Sequence, residues 1–172
     1  MWWYASFLVF AQILSAGSAL AQGAAQERRT ALIIGNSTYR QSPLRNPVND
    51  AQAMAATLGS LGFTVTKLEN ASKGQMNDAL RKFGDTIKTG GFGLFYFAGH
   101  GMQVSGQNFM IPVDANIERE DEVAAEGIEM NLVLRKMDSA KNRLNIVILD
   151  ACRNNPFARS FRSSTRGLAA MD

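Results

Sequence analysis

The chain contains one histidine and one cysteine, His100 and Cys152, and this pair of residue types can carry out nucleophilic catalysis. A cysteine thiolate attacks a carbonyl carbon, and an imidazole first raises the thiolate population and later protonates the leaving amine. Glycines flank the histidine on both sides, at Gly99 and Gly101. The backbone there can approach a substrate closely and direct an amide N–H at a developing oxyanion. The residue types therefore predict acyl transfer.

The same two residues also have a structural interpretation. A lone cysteine forms no internal disulfide, so Cys152 is either a buried packing residue or a reactive thiol. Free cysteines are among the most buried residue types. Placement favours the catalytic interpretation, because each residue follows an apolar run, at 92–98 and 144–149, that predicts a strand. We expect both residues just past the carboxyl ends of parallel strands, where crevices form. A redox role is disfavoured by the absence of a C-x-x-C motif.

Four short apolar runs rich in Ile, Val, Phe and Leu predict the strands that position these residues. They cover residues 30–35, 63–68, 92–98 and 144–149. Between them, a first helix is expected at 47–58, with Asn46 as N-cap. A second begins at the capping-box pair Ser72 and Gln75, and a third covers roughly 132–140. Strands joined by crossover helices predict an α/β domain with a largely parallel sheet.

Two further segments complete the organisation. Residues 102–113 have a Ser-Gly-Gln-Asn stretch between two apolar runs, which predicts a small hairpin. Residues 118–126 are rich in Glu and Asp and predict a solvated loop, with a cation site as the weaker alternative because the spacing resembles no calcium loop.

Charge argues against nucleic acid as a partner. The formal net charge is only +3. The basic residues near the C-terminal end alternate with Ser and Asn instead of stacking aromatics, so they predict a solvated loop. These residues are Arg153, Arg159, Arg162 and Arg166.

The first 21 residues carry no charged side chain and end in Ala19-Leu20-Ala21, which is typical of a secretory signal cleaved before Gln22. Residues 22–29 then form a polar spacer. We therefore expect an exported protein, periplasmic or extracellular. The alternative is an uncleaved N-terminal membrane anchor, because the segment has no Lys or Arg before its apolar run.

The stretches Gly99-His100-Gly101 and Asp150-Ala151-Cys152-Arg153, whose histidine and cysteine are 52 residues apart, resemble the caspase-like superfamily. Residues 34–51 and 108–114 are similar to the corresponding segments of bacterial metacaspase-like proteins. The resemblance covers residues 30–172. It implies the caspase-hemoglobinase fold, a three-layer α/β sandwich with a mostly parallel sheet.

The resemblance also implies the activity, that of a cysteine endopeptidase of the metacaspase kind, and the roles of its residues. Cys152 would be the nucleophile and His100 the acid and base, with the N–H groups of Gly101 and Cys152 as the oxyanion hole. Asp50 and Asp150 would line the S1 pocket and pair with Arg or Lys at P1 of a protein or peptide substrate. The structural alternatives are a first-turn helix charge for Asp50 and a strand-end cap for Asp150. Arg45 lies near the position of an arginine with which true caspases accept Asp.

The chain departs from the family pattern at its C-terminal end. Family members continue with small-subunit strands, whereas Asp172 lies only 20 residues after Cys152. We therefore expect those strands to be missing and the sheet edge to be free for a homodimer or for completion by another chain. A non-catalytic binding or dimerisation module is the alternative function. No cofactor is expected; some metacaspases need calcium, but no matching ligand set is identified.

Overall fold

A computed structural model of the protein describes residues 27–88 and 90–152, and of Cys152 it describes the backbone. The secretory-signal prediction for residues 1–21 and the loop predicted around Arg159 lie outside the described residues. The elements are β1 (Arg29–Gly35), α1 (Pro47–Ser60), β2 (Thr64–Glu69), α2 (Lys73–Ile87), β3 (Phe92–Val104), β4 (Gln107–Met110), a 3-10 turn (Glu120–Glu122), α3 (Val123–Glu126), β5 (Ile128–Glu129), α4 (Met130–Ser139) and β6 (Leu144–Cys152).

The main sheet has four parallel strands in the order β2-β1-β3-β6, so the α/β prediction is confirmed. Crossover helices join the consecutive strands, which forces neighbours to run in the same direction. β3 lies at the centre, and its first half pairs with β1 on one edge and β6 on the other. Its second half leaves this sheet and forms an antiparallel hairpin with β4, which in turn pairs with β5.

Side chains on β3 alternate between two buried layers, as expected for a strand covered on both faces. Phe95 and Phe97 contact α2 and α4 on one face. Leu94 and Tyr96 contact α1 on the other. Helices therefore cover both faces of the sheet and give the three-layer sandwich.

The first helix packs tightly against the end of β1. A Cβ atom at Gly35 would overlap the carbonyl oxygen of Pro47 and lie 2.6 Å from Cβ of Ala51, so a side chain there would push the helix away. Asn46 occupies the N-cap position as predicted, but its side chain makes no capping hydrogen bond. Ser37 Oγ instead accepts from the N–H of Val48 at 3.2 Å. The first turn of α1 is thereby held at the carboxyl edge of the sheet.

The second helix follows its sequence pattern closely. Ser72 and Gln75 form the reciprocal capping box, with Ser72 Oγ accepting from the Gln75 N–H at 3.3 Å and Gln75 Oε1 accepting from the Ser72 N–H at 2.8 Å. Its apolar stripe is buried under the sheet. The predicted capping box is confirmed, because both of its contacts are local and need no tertiary information.

Two boundary predictions are wrong. His100 and Cys152 do not lie past the ends of their strands, because β3 continues to Val104 and β6 continues through Cys152. The first extension arises from the hairpin, in which the residues after His100 pair with β4. The apolar run ends at Ala98, so hydrophobicity alone predicts too short a strand.

The acidic segment is also more ordered than a loop. It contains the 3-10 turn and α3, and Val123 anchors it by burying its side chain completely. Arg119 contacts the carboxylates of Asp121 and Glu122, at 3.2 and 3.5 Å. The charges nevertheless remain largely at the surface, as the sequence predicts.

β6 is an edge strand within the described part of the chain, where it pairs with β3 alone. Two of its apolar side chains are exposed, Leu144 by 47% and Ile148 by 36%. The register partner of Ile148 on β3 is Tyr96, which is buried in the layer that contains α1. No helix between residues 27 and 152 is long and apolar enough to cross a membrane.

Candidate active site

The backbone brings the two candidate catalytic residues to adjacent strands. His100 and Cys152 are register partners in the parallel β3–β6 ladder. Neighbouring strands lie about 4.8 Å apart, so residues that are 52 positions apart in sequence become lateral neighbours. The sequence placed the two residues on two different strands, and the structure makes those strands neighbours.

The histidine ring is buried and held from one side. His100 is 2% exposed, and its Nε2 lies 2.7 Å from the carbonyl oxygen of Ser42. A carbonyl only accepts, so Nε2 carries the proton of this hydrogen bond. The other ring nitrogen, Nδ1, is buried and has no hydrogen-bond partner among the described residues. In the neutral ring, Nδ1 is therefore an available proton acceptor.

Tyr39 fixes both the backbone and the ring of His100. Its hydroxyl accepts from the His100 N–H at 2.9 Å and donates to the Ile111 carbonyl at 3.0 Å. Its ring packs on the imidazole with centroids 4.3 Å apart. Gly99 makes this approach feasible, because a Cβ there would lie 2.5 Å from the Tyr39 hydroxyl oxygen.

The loop that carries Tyr39 and Ser42 is itself braced by two asparagines. Asn70 Oδ1 accepts from the N–H of Ser37 at 2.9 Å and from that of Thr38 at 3.0 Å. The fully buried Asn36 accepts from the Ala71 N–H at 2.8 Å. These hydrogen bonds connect the segment after β1 to the segment after β2. They therefore hold in place the loop that carries Tyr39 and Ser42, the partners of His100.

Burial governs the protonation of the histidine. Desolvation lowers the pKa of His100 below its ordinary value, and the hydrogen bond to the Ser42 carbonyl opposes this shift by favouring the charged form. Burial is the larger effect. The neutral imidazole, which is the form needed by a general base, is therefore favoured in the resting site.

The structure places the two predicted oxyanion donors at different kinds of position. Gly101 lies opposite Met110 in the β3–β4 ladder. The next hydrogen bond of the ladder runs from the Ile111 N–H to the His100 carbonyl at 3.0 Å, so Gly101 and Met110 are a non-hydrogen-bonded pair. The Gly101 N–H is thus not used by β4. Cys152 is the last residue of β6 and is still paired with β3. Its oxyanion role stays a prediction.

The hydroxyl of the buried Tyr96 contacts Asp150, one of the two predicted S1 carboxylates. Tyr96 Oη donates to Asp150 Oδ2 at 3.3 Å. Burial first, then the charges of Asp150 and Asp50, raise the pKa of Tyr96 to about 12. Neither carboxylate has an ion-pair partner within residues 27–152. Asp150 is exposed among the described residues, and its role in the S1 pocket stays a prediction.

Three residues that contact His100 or Asp150 were not predicted from the sequence, namely Tyr39, Ser42 and Tyr96. Ser42 acts through its backbone carbonyl, which leaves no signal in residue type. Tyr96 reads as one more apolar residue of a buried strand. Tyr39 stood in a segment recognised by resemblance, but nothing local indicates a contact with a residue 61 positions away.

Arg45 is exposed in the segment before α1, and it has no role in the contacts of His100 or Asp150 described above. Among the described residues, no group of three or more His, Cys, Asp or Glu side chains is arranged to hold a metal ion.

Comparison with known proteins identifies the family. The family model described as the caspase domain of peptidase C14 matches residues 28–169. Mucosa-associated lymphoid tissue lymphoma translocation protein 1 from Homo sapiens is 35% identical over 127 residues, and its Mus musculus homolog is 34% identical over the same length. Each match covers 73% of this chain and 15% of the relative, so the chain spans a small part of those proteins.

Among solved structures, protein GSU0716 from Geobacter sulfurreducens is similar with a TM-score of 0.56 and 18% sequence identity. The similarity covers 73% of this chain and 50% of that one, and it supports the caspase-like fold alone. The family match covers nearly all of the residues that form the sheet, its helices and the site, and the chain belongs to the caspase-domain family of peptidases.

Proposed function

We propose that the chain is a cysteine endopeptidase that uses Cys152 and His100 and cleaves after Arg or Lys. The observation that carries the proposal is the register of β3 and β6, which makes His100 and Cys152 lateral neighbours and puts Tyr96 and Asp150 near them on the same two strands. Family membership supports the peptidase class.

The contacts of His100 support its role as general base. With its Nε2 proton donated to Ser42, the neutral ring has its lone pair on Nδ1, the nitrogen without a partner in the described part of the chain. The orienting partner resembles the third member of a catalytic triad, with a backbone carbonyl in place of a carboxylate. The lowered pKa keeps the ring ready to take up the thiol proton.

In the proposed reaction, Nδ1 of His100 accepts the proton of the Cys152 thiol, and the sulfur attacks the carbonyl carbon of the substrate. The carbonyl electron pair moves onto the oxygen, which the Gly101 N–H stabilises. As the tetrahedral intermediate collapses, the C–N bond breaks and the imidazolium gives its proton to the leaving amine. Water then hydrolyses the thioester and regenerates the thiol.

The two carboxylates around Tyr96 support a basic P1 residue. Asp50 comes from the first turn of α1 and Asp150 from β6, so the site would be shared by two elements. A guanidinium or ammonium group would be attracted by both carboxylates and would reduce their net charge from −2 to −1, and Arg could bind a carboxylate bidentately. Protein or peptide substrates with Arg or Lys at P1 are the proposed partners.

The test is a panel of small amide substrates with Arg, Lys, Asp or Leu at P1, compared between wild type and Asp150→Asn. This variant keeps the size of the side chain and removes its charge. Loss of a charge-assisted hydrogen bond of about 1.5–3 kcal/mol predicts roughly a tenfold to hundredfold lower kcat/KM for Arg and Lys. The Leu substrate is the internal control. Fastest cleavage after Asp would contradict the proposal and point to Arg45.

A binding or dimerisation module is the second candidate, and the exposed apolar side chains of β6 favour it. Leu144 and Ile148 line a strand whose outer edge has no partner among the described residues. Such an edge can accept a strand from another chain. Turnover of an Arg amide that is lost in Cys152→Ala would decide for the peptidase.

We also propose that the protein acts outside the cytoplasm, on the basis of the uncharged residues 1–21 and the small residues that end them. Mass spectrometry of the soluble and membrane fractions should find a mature chain beginning at Gln22. A chain beginning at Met1 in the membrane fraction would instead support an uncleaved anchor.

A further inference from the structure

We propose that Tyr96 is a positioning residue for the P1 site, and that its hydroxyl holds the Asp150 carboxylate in the orientation that receives a guanidinium or ammonium group. The inference rests on the proposed preference for Arg or Lys. It assigns a specificity role to a residue in the core of the sheet.

The ring of Tyr96 is immobilised by its surroundings. Tyr96 is 3% exposed and belongs to the apolar layer under α1, together with Ala51, Leu94 and Ala98. A close-packed ring of this kind does not swing away from its position. Its hydroxyl is therefore a fixed donor at the edge of an otherwise apolar layer.

Asp150, unlike the buried Tyr96, lies at the surface. Its side chain is exposed, and among the described residues its one hydrogen-bond partner in the structure is the Tyr96 hydroxyl, at 3.3 Å. An exposed carboxylate without this contact would sample several rotamers and would have to be ordered by each ligand that binds. The tyrosine orders it beforehand.

Asp50, the second carboxylate, has no hydrogen bond to Tyr96 in the structure. Asp50 affects the hydroxyl of Tyr96 through its charge alone, whereas Asp150 also accepts a hydrogen bond from it. A phenol donates one proton, so it can position one carboxylate at a time. Tyr96 should therefore be energetically coupled to Asp150 and not to Asp50.

The test uses Tyr96→Phe, which retains the ring and removes the hydroxyl. Binding of benzamidine, an aromatic amidine that mimics the Arg side chain, is measured by calorimetry on the full chain, and KM and kcat are measured with Arg and Leu substrates. Loss of one hydrogen bond predicts about three- to tenfold weaker benzamidine binding and a similar rise in KM for Arg. kcat and the Leu substrate should not change.

A double-mutant cycle gives the sharper result. In an Asp150→Asn background, Tyr96→Phe should have little further effect on benzamidine binding, whereas in an Asp50→Asn background it should keep its full effect. Ser60→Ala is the matched control, since it removes an exposed hydroxyl that bonds to the Thr57 carbonyl in the last turn of α1. It should leave binding unchanged.

Any of three results would overturn the inference. The first is an equal loss for Arg and Leu substrates in Tyr96→Phe, which would indicate a purely structural role. The second is wild-type protein that does not bind benzamidine, and the third is a full Tyr96→Phe effect in the Asp150→Asn background. If benzamidine binds in a Tyr96-dependent way but no amide is cleaved, the peptidase proposal fails and the positioning role stands.

Discussion

The two faces of the central sheet differ in their residues: one packs into a continuous apolar layer, and the other includes the polar residues of the candidate site. On the face covered by α2 and α4, the side chains of β3 and β1 pack into one continuous apolar layer with Leu80 and Phe83 of α2. On the face covered by α1, the apolar layer is smaller and gives way at the carboxyl edge to His100, to Tyr96 and to the exposed Asp150. Period-two alternation along β3 sends neighbouring residues to opposite faces.

This division separates stability from chemistry within a single strand. Phe97 belongs to the larger layer, whereas Tyr96, the residue before it, donates to a carboxylate of the candidate site. Substitutions of neighbouring residues should therefore have different consequences. Each of the following experiments tests whether the two faces are as distinct as their contacts indicate.

The largest expected effect is on activity with no loss of fold. Cys152→Ala and His100→Ala should each reduce amide cleavage by about a thousandfold or more, because the covalent route is lost. Circular dichroism should show an unchanged fold, and a fluorogenic Arg amide reports the rate. Retention of more than about a hundredth of the rate in Cys152→Ala would contradict its assignment as nucleophile.

The opposite behaviour is expected on the packed face. Leu80→Ala removes a side chain with no exposed area and should lower the free energy of unfolding by about 2–5 kcal/mol. Leu61→Ala is the matched control, because Leu61 is 54% exposed and its loss should change stability by about 0.5 kcal/mol or less. Urea denaturation measures both. Equal effects would mean that burial does not distinguish the positions.

Tyr39→Phe should affect both properties, since Tyr39 lies where the packed loop meets the site. It removes the acceptor of the buried His100 N–H, at a cost of about 1–3 kcal/mol for an unsatisfied buried group. The Ile111 carbonyl loses the Tyr39 donor but still accepts from Asn36 Nδ2 at 3.3 Å. The ring contact with the imidazole is retained. We expect lower stability and a lower kcat with Arg and Leu substrates alike. Loss of stability with normal kcat would confine Tyr39 to a structural role.

The smallest effect concerns pH. Burial holds the pKa of His100 in the folded chain below its ordinary value of 6.5, so the unfolded chain takes up a proton first as pH falls. Acid therefore favours unfolding. The contribution of the neutral His100 to the free energy of unfolding is full above about pH 6.5. It is lost as pH falls from there through the lower pKa of the folded chain. Because His100 is the one histidine in the sequence, the difference in stability between about pH 7.5 and about pH 5.5 should shrink in His100→Gln. An unchanged difference would contradict the contribution.

Local features of both faces could be predicted from the sequence, whereas contacts between distant segments could not. The capping box of α2 and the apolar runs of the strands are local patterns, and they gave the α/β architecture. The adjacency of β3 and β6 needed the tertiary fold, because no local pattern in the sequence states which strands pair. Ser42 contributes a backbone oxygen and Tyr96 a hydroxyl on a buried ring, and neither function has a pattern in the chain.

Among the described residues β6 is an edge strand, and this position links the candidate site to local unfolding. The pairing of His100 with Cys152 closes a long stretch of chain and cannot form until β6 docks on β3, so the site is assembled late relative to the helices and their local contacts. An edge strand with exposed apolar side chains also opens at lower free energy than the strands beside it. Separation of β6 would therefore move Cys152 away from His100 while α2, α4 and β1 remain folded, so hydrogen exchange along β6 should report the integrity of the candidate site independently of the core.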